Sequence, residues 1–252
     1  MTDDVTCWTL LVERAERPCT RGGSGAAPDH DAGGPVIDED WDGAIAALGG
    51  TPTGGADLVA RYAEPHRHHH TADHVRAVLT AAERPAASLP AQERHLLALA
   101  ICAHDVVYEG AAGEDERASA AWAAETLTRA GLARDLITRV QTLVLATITH
   151  EPEDDLEAIL LDADLAVLAA DASTYDAYAR AVRREYARYD DEAWASGRAR
   201  VLRALLTRPR IYTRAAELER RARHNLRAEL ATLAPGARAE PGPGLERPAR
   251  GA

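Results

Sequence analysis

The chain of 252 residues contains no phenylalanine, and its aromatic residues amount to only 4 %. A core must therefore come from Ala, Leu, Val and Ile. That disfavours a β-sandwich, whose strands draw on aromatic and β-branched residues, and favours helices. Hydrophobic residues still make up 46 % of the chain, enough for a sizeable interior. Lysine is also absent, so all 29 basic residues are arginine, a pattern that points to coding bias. Cysteine is scarce. Cys7, Cys19 and Cys102 form neither a disulfide framework nor a CxxC metal motif, and a reducing cytoplasmic compartment is expected. No apolar run approaches the roughly 20 residues of a membrane span, and a basic-then-apolar leader pattern is missing. Positive charge is in deficit as well. A net charge of -11 argues against binding a nucleic-acid polymer. A small phosphorylated substrate stays open, because a bound metal ion can dominate the charge of its own site.

What is present reads as one helical domain over residues 39–233 between two biased ends. Residues 1–38, with "RGGSGAAPDHDAGGP", and residues 234–252, with "APGARAEPGPGLERPARGA", lack sustained periodicity and read as disordered extensions. Between them, "ADLVARYAE" predicts a helix stopping at Pro65, and a second helix starts near Thr71. Pro90 suits the first turn before "AQERHLLALAICAH", and Gly131 suits the stop of "ERASAAWAAETLTRAG". "RDLITRVQTLVLATITH" carries an apolar stripe through Leu136, Val140, Leu143 and Thr147. Ser173 is the expected N-cap of "STYDAYARAVRREYARY", with Asp176 three residues on. No segment alternates like a strand, so an all-α bundle is expected.

Four features carry chemistry. "LALAICAHDVVYEG" ends an apolar helix in His104–Asp105, where charge is costly unless it is paired or bound to a metal. "EPHRHHHTADHV" holds His66, His68, His69, His70 and His74. His70 and His74 share a helix face at i, i+4, and three consecutive histidines cannot all point at one site. "THEP" supplies His150. In "LLDADLAVL", Leu156, Leu160, Asp164 and Leu168 fall at steps of four, which puts Asp164 on an apolar stripe and Asp162 on another face. A carboxylate in such a stripe needs a cation or several donors; a solvated surface helix is the alternative.

The ordered set His70, His104–Asp105 and Asp164, with "YAEPHRHHHTADHV", "AHDVVYEG", "EDERASA", "LDADLAVL" and "VRREYA", resembles the HD superfamily of metal-dependent phosphohydrolases. The likeness runs from about Trp41 to Leu230. It implies that His70, His104, Asp105 and Asp164 bind a divalent ion. Imidazole plus carboxylate suits Mn, Zn, Fe, Co or Ni, with Mg also admitted. Such an ion polarises a phosphoryl oxygen and activates water. Glu109, Asp115, Glu116 and His150 are the candidate acids and bases; Arg67, His74 and Arg183 are the candidate substrate contacts. The alternative for Glu116 is a first-turn acid answering the helix dipole; for Arg67 and Arg183, ordinary ion pairs.

The expected activity is hydrolysis of a phosphate ester, with a nucleotide or other small phosphorylated metabolite as substrate. A homo-oligomer stays open. Two other readings compete. Some HD proteins hold two irons and act as oxygenases, but they carry two more histidines between the HD pair and the last Asp, where only His150 stands here. The third is a non-catalytic, metal-stabilised sensor or interaction domain.

Overall fold

The computed structural model describes residues 37–233, so the expected extensions, save residues 37 and 38, lie outside the described residues. Ten α-helices and no strand occur among the described residues, an all-α fold. They are α1 (Ile37–Ala47), α2 (Gly55–Tyr62), α3 (Ala72–Ala86), α4 (Ala91–Ala103), α5 (Glu114–Arg129), α6 (Arg134–Ala146), α7 (Asp155–Asp164), α8 (Ala172–Glu185), α9 (Asp191–Thr207) and α10 (Glu219–Thr232). A 3-10 turn, Leu165–Ala169, continues directly from α7.

The helix ends follow capping chemistry. Asp154 accepts from the backbone amides of Leu156 and Glu157 and so starts α7. The Glu116 carboxylate reaches back 2.5 Å to the Gly113 amide at the head of α5. Two sequence expectations are corrected here. Helix α1 begins at Ile37, whose side chain is fully buried, so residues 37 and 38, expected in the extension, are helical. The N-cap of α8 is Asp171, not Ser173. Its carboxylate accepts from the Thr174 amide and from both the Ser173 and Thr174 hydroxyls, three donors that a serine cap could not gather.

The buried side chains form two cores. The first is aliphatic and gathers residues of α1 to α7 around Ile45, Leu58, Leu99, Ile101, Leu127 and Leu143. The second starts at Leu165 and gathers Tyr175, Tyr178, Tyr186, Trp194, Leu202, Tyr212 and Leu226 from the 3-10 turn onward. Burial of this kind contributes roughly 25 cal/mol per Å² of apolar surface, so each core is a substantial stabilising unit. The seam between them falls at Asp164, the last residue of α7.

Arginines sew that seam. Arg188 donates to the carbonyls of Glu109 and Gly110 at 3.1 and 2.9 Å. Arg208 donates to those of His150 and Thr149 at 3.1 and 2.7 Å. The planar guanidinium, with five donors in a fork, spans two neighbouring carbonyls as a lysine ammonium does not. Gly110 needs its left-handed backbone (φ 72°) there, and a Cβ on it would sit 3.0 Å from the Arg188 fork.

Candidate metal centre

His104 caps the C-terminus of α4, at the end of a helix whose last five residues are all buried. Its Nδ1 lies 2.7 Å from the Ile101 carbonyl, which can only accept, so Nδ1 carries the proton. That leaves Nε2 as the lone-pair nitrogen, the arrangement by which a backbone carbonyl orients a metal-binding imidazole. Nε2 of His104 faces Nε2 of His74 at 3.1 Å and Asp105 Oδ2 at 3.0 Å. His74 Nε2 lies 3.5 Å from the same Asp105 oxygen. The three donor atoms stand within 4.8 Å of one another and form a group able to hold a metal ion.

Asp164 adjoins this group. Its Oδ1 lies 3.2 Å from His74 Nε2 and 3.6 Å from His104 Nε2. Its Oδ2 accepts from His150 Nε2 at 3.0 Å. Asp162, two residues earlier, faces elsewhere and accepts from the amides of Thr213, Arg214 and Ala215 at 2.6–2.8 Å. His150 itself has a left-handed backbone (φ 53°), held between Asp164 and the Arg208 clamp.

The electrostatics follow. Burial works against the charged form of both imidazoles, yet the neighbouring Asp105 and Asp164 carboxylates raise His74 and hold His104 well above its ordinary value. Burial also works against ionised Asp105 and Asp164. The histidines around them outweigh it and keep both carboxyls well below the usual range. Without an ion, protons on the histidines offset the carboxylates; a divalent ion would do the same.

His70, the expected first ligand, lines the cleft with His104, Asp105 and Asp164. Its Nδ1 lies 2.8 Å from Glu185 Oε2 and its ring stacks on Tyr108, while His74, expected as a substrate contact, joins the His104–Asp105 group. The loop before α3 is fixed by α8. Oε1 of Glu185 accepts from the backbone amides of His68, His69 and His70 at 2.7, 2.7 and 3.0 Å. His74, on the buried face of α3, meets the HD pair directly. Burial opposes the Glu185 charge, but the His70 bond and these amides hold the carboxyl well below its usual range.

The two expected phosphate-binding arginines are also corrected. Arg67 is buried, with Nη1 on the His70 and Asp105 carbonyls, Nη2 on the Val106 carbonyl and Nε on Glu64. It braces the HD turn against the histidine loop. Arg183 donates to the Tyr186 and Tyr189 carbonyls and to Asp191, closing the C-terminus of α8. Glu109 is exposed and offers only backbone groups to its neighbours. Asp115 accepts from the Glu109 and Ala111 amides at 3.0 and 2.8 Å and so shapes the loop after the HD pair. Burial raises the carboxyls of Asp115 and Glu116.

A cleft of about 800 Å³, its open mouth included, lies over the centre. Its lining brings His70, His104, Asp105, His150 and Asp164 together with Leu165, Val167, Leu168, Tyr178, Val182 and Tyr186. Asp115 and Glu116 also line it. Sequence reasoning missed Glu185, Tyr108 and Tyr178, and nothing in the local spacing of "VRREY" sets Glu185 apart from a surface acid.

Comparison of the chain with protein-family models, with curated proteins and with solved structures returned no match. The helical fold and its His-His-Asp group are compatible with an HD domain.

Proposed function

We propose that the chain is an HD-type, metal-dependent hydrolase of phosphate esters of small molecules. The observation that carries this reading is the convergence of His74, His104 and Asp105, with Asp164 beside them, where His104, Asp105 and Asp164 line one cleft. These four residues would hold the ion. The donor set suits a first-row divalent metal, which when bound polarises a phosphoryl oxygen and makes hydroxide available near neutral pH. The protein's own groups do the rest. His104 keeps its Nε2 aimed at the centre through the Ile101 carbonyl. Asp164 divides its oxygens between the His74–His104 pair and His150. His150, which lines the cleft, is the candidate to move the proton as a water oxygen bonds to phosphorus, the ester P–O bond breaks, and the leaving oxygen is protonated. The products are an alcohol and inorganic phosphate.

The test is direct. Protein stripped of metal and reloaded with Mn, Co or Ni should release phosphate from a phosphoester panel, and His104→Ala should abolish release while keeping its helical circular dichroism. No release with any metal would overturn the reading and leave a metal-stabilised helical module.

A second reading rests on His150. Because it engages Asp164 Oδ2 while Oδ1 lies by His74, His150 and that second oxygen would be the groups to hold a further ion, as a di-iron oxygenase would require. Two irons per chain by metal analysis, with dioxygen consumption, would favour it over hydrolysis.

A further inference from the structure

The cleft lining carries no permanently charged cation. Among its described lining residues there is no arginine, and the chain has no lysine to contribute. Arginines that bond the surrounding segments are occupied by backbone carbonyls. Arg67 serves the His70, Asp105 and Val106 carbonyls, Arg188 those of Glu109 and Gly110, and Arg208 those of Thr149 and His150. Carboxylates, by contrast, line it four times over: Asp105, Asp115, Glu116 and Asp164. A divalent ion is offset by Asp105 and Asp164 alone. Asp115 and Glu116 then confront any second phosphate with like charge, which costs affinity in a partly desolvated site.

The rest of the lining is of a different character. Leu165, Val167, Leu168 and Val182 contribute aliphatic side chains, and Tyr178 and Tyr186 add aromatic rings. Both rings belong to the second core and are largely buried, so this part of the lining is packed rather than a solvated rim. Clefts of this kind take up the organic part of a ligand through its apolar surface and fix the polar end with a few groups.

Resting on the hydrolase reading, we infer that the centre serves esters with a single phosphoryl group joined to an uncharged, apolar or aromatic group, and turns away nucleoside di- and triphosphates. The phosphoryl end meets the ion, and the organic end lies along Leu165, Leu168, Tyr178 and Val182. The reaction is the hydrolysis already written, with a neutral alcohol or phenol leaving.

The test compares 4-nitrophenyl phosphate with ATP on the Mn-loaded protein, reading kcat/KM from phosphate release. The aryl monoester should be favoured by at least about tenfold, the scale of like-charge discrimination in a binding site. The paired variant Asp115→Asn, Glu116→Gln should narrow that ratio at least about threefold by improving the KM for ATP. Calorimetry adds a readout without turnover: phenylphosphonate should bind the Mn-loaded protein more tightly than tripolyphosphate. ATP turned over as well as the aryl ester, or tripolyphosphate bound as tightly as phenylphosphonate, would overturn this inference and leave hydrolysis standing. Both phosphonate and ester inert with every metal would instead remove the hydrolase reading, and this inference with it.

Discussion

The two cores are built from different materials. The first buries Trp41 and Tyr62 among otherwise aliphatic side chains. The second, smaller one takes up Tyr175, Tyr178, Tyr186, Tyr212 and Trp194, so the chain's few aromatics are concentrated there. Buried tyrosines bring hydroxyls that need partners, and the second core supplies them: the Arg198–Glu229 pair accepts or donates to Tyr175 and Tyr178, and Tyr212 donates to the Leu165 carbonyl. The division extends to the cleft. The first core brings His74, His104 and Asp105; the second brings the apolar part of the lining and Glu185, which orders the histidine loop. A dry core thus fixes the ligand nitrogens, and a hydrogen-bonded one shapes what approaches them.

The junction gives the sharpest way to break this comparison. Asp162 and Asp164 leave α7 two residues apart, one bonded to backbone amides of the second core and one to imidazoles. Asp164→Asn should lower divalent-ion affinity at least about a hundredfold by calorimetry, with the smaller effect on the melting of the metal-free protein. Asp162→Asn should do the reverse. It should cost about 2–4 kcal/mol in denaturant unfolding, because buried amides lose a charged acceptor, and it should leave the ion affinity of the folded fraction near wild type.

Next comes pH. His74 and His104 are raised when folded, so their contribution to stability is complete below the unfolded value of about 6.5 and fades as pH rises through the folded one. Metal-free protein should therefore lose melting temperature from pH 6 toward pH 9. Ion binding must displace those protons, so affinity should rise with pH over the same range and calorimetry in two buffers should detect proton release.

Glu185 has the opposite sign. Its depressed carboxyl stabilises the fold above about pH 4.3, and that contribution is lost as pH falls below it toward the folded value. Glu185→Gln should cost about 1–3 kcal/mol near neutral pH and flatten the acid limb of the stability curve. Asp154→Ala, at the head of α7 and outside the cleft, should cost only about 1 kcal/mol by chemical denaturation, without altering ion binding.

Much of this architecture is legible in the sequence. Thr71 and Pro90 stand at the starts of α3 and α4, as their chemistry suggests. The i, i+4 stripe through Leu156 and Leu160 points Asp164, rather than Asp162, toward the imidazoles. What periodicity misses is where α3 begins. His70 and His74 stand four apart, but α3 starts at Ala72, and His70 lies in the preceding loop, held by Glu185, more than a hundred residues away in the chain. The arginines mislead for a related reason. Beside histidines in a motif they suggest anion binding, but Arg67 is fully occupied by carbonyls that only the folded loop brings together.

The Arg208 clamp has a consequence for how the molecule can be taken apart. Arg208 follows α9, yet it grips the carbonyls on which the backbone turn at His150 depends, and His150 in turn holds the outer oxygen of Asp164. A fragment ending before α9 would keep every proposed ligand in its sequence while losing the brace that poses one of their neighbours. Dissection into halves should therefore yield a helical first core with a slackened pocket, and adding the missing half in trans should tighten it again.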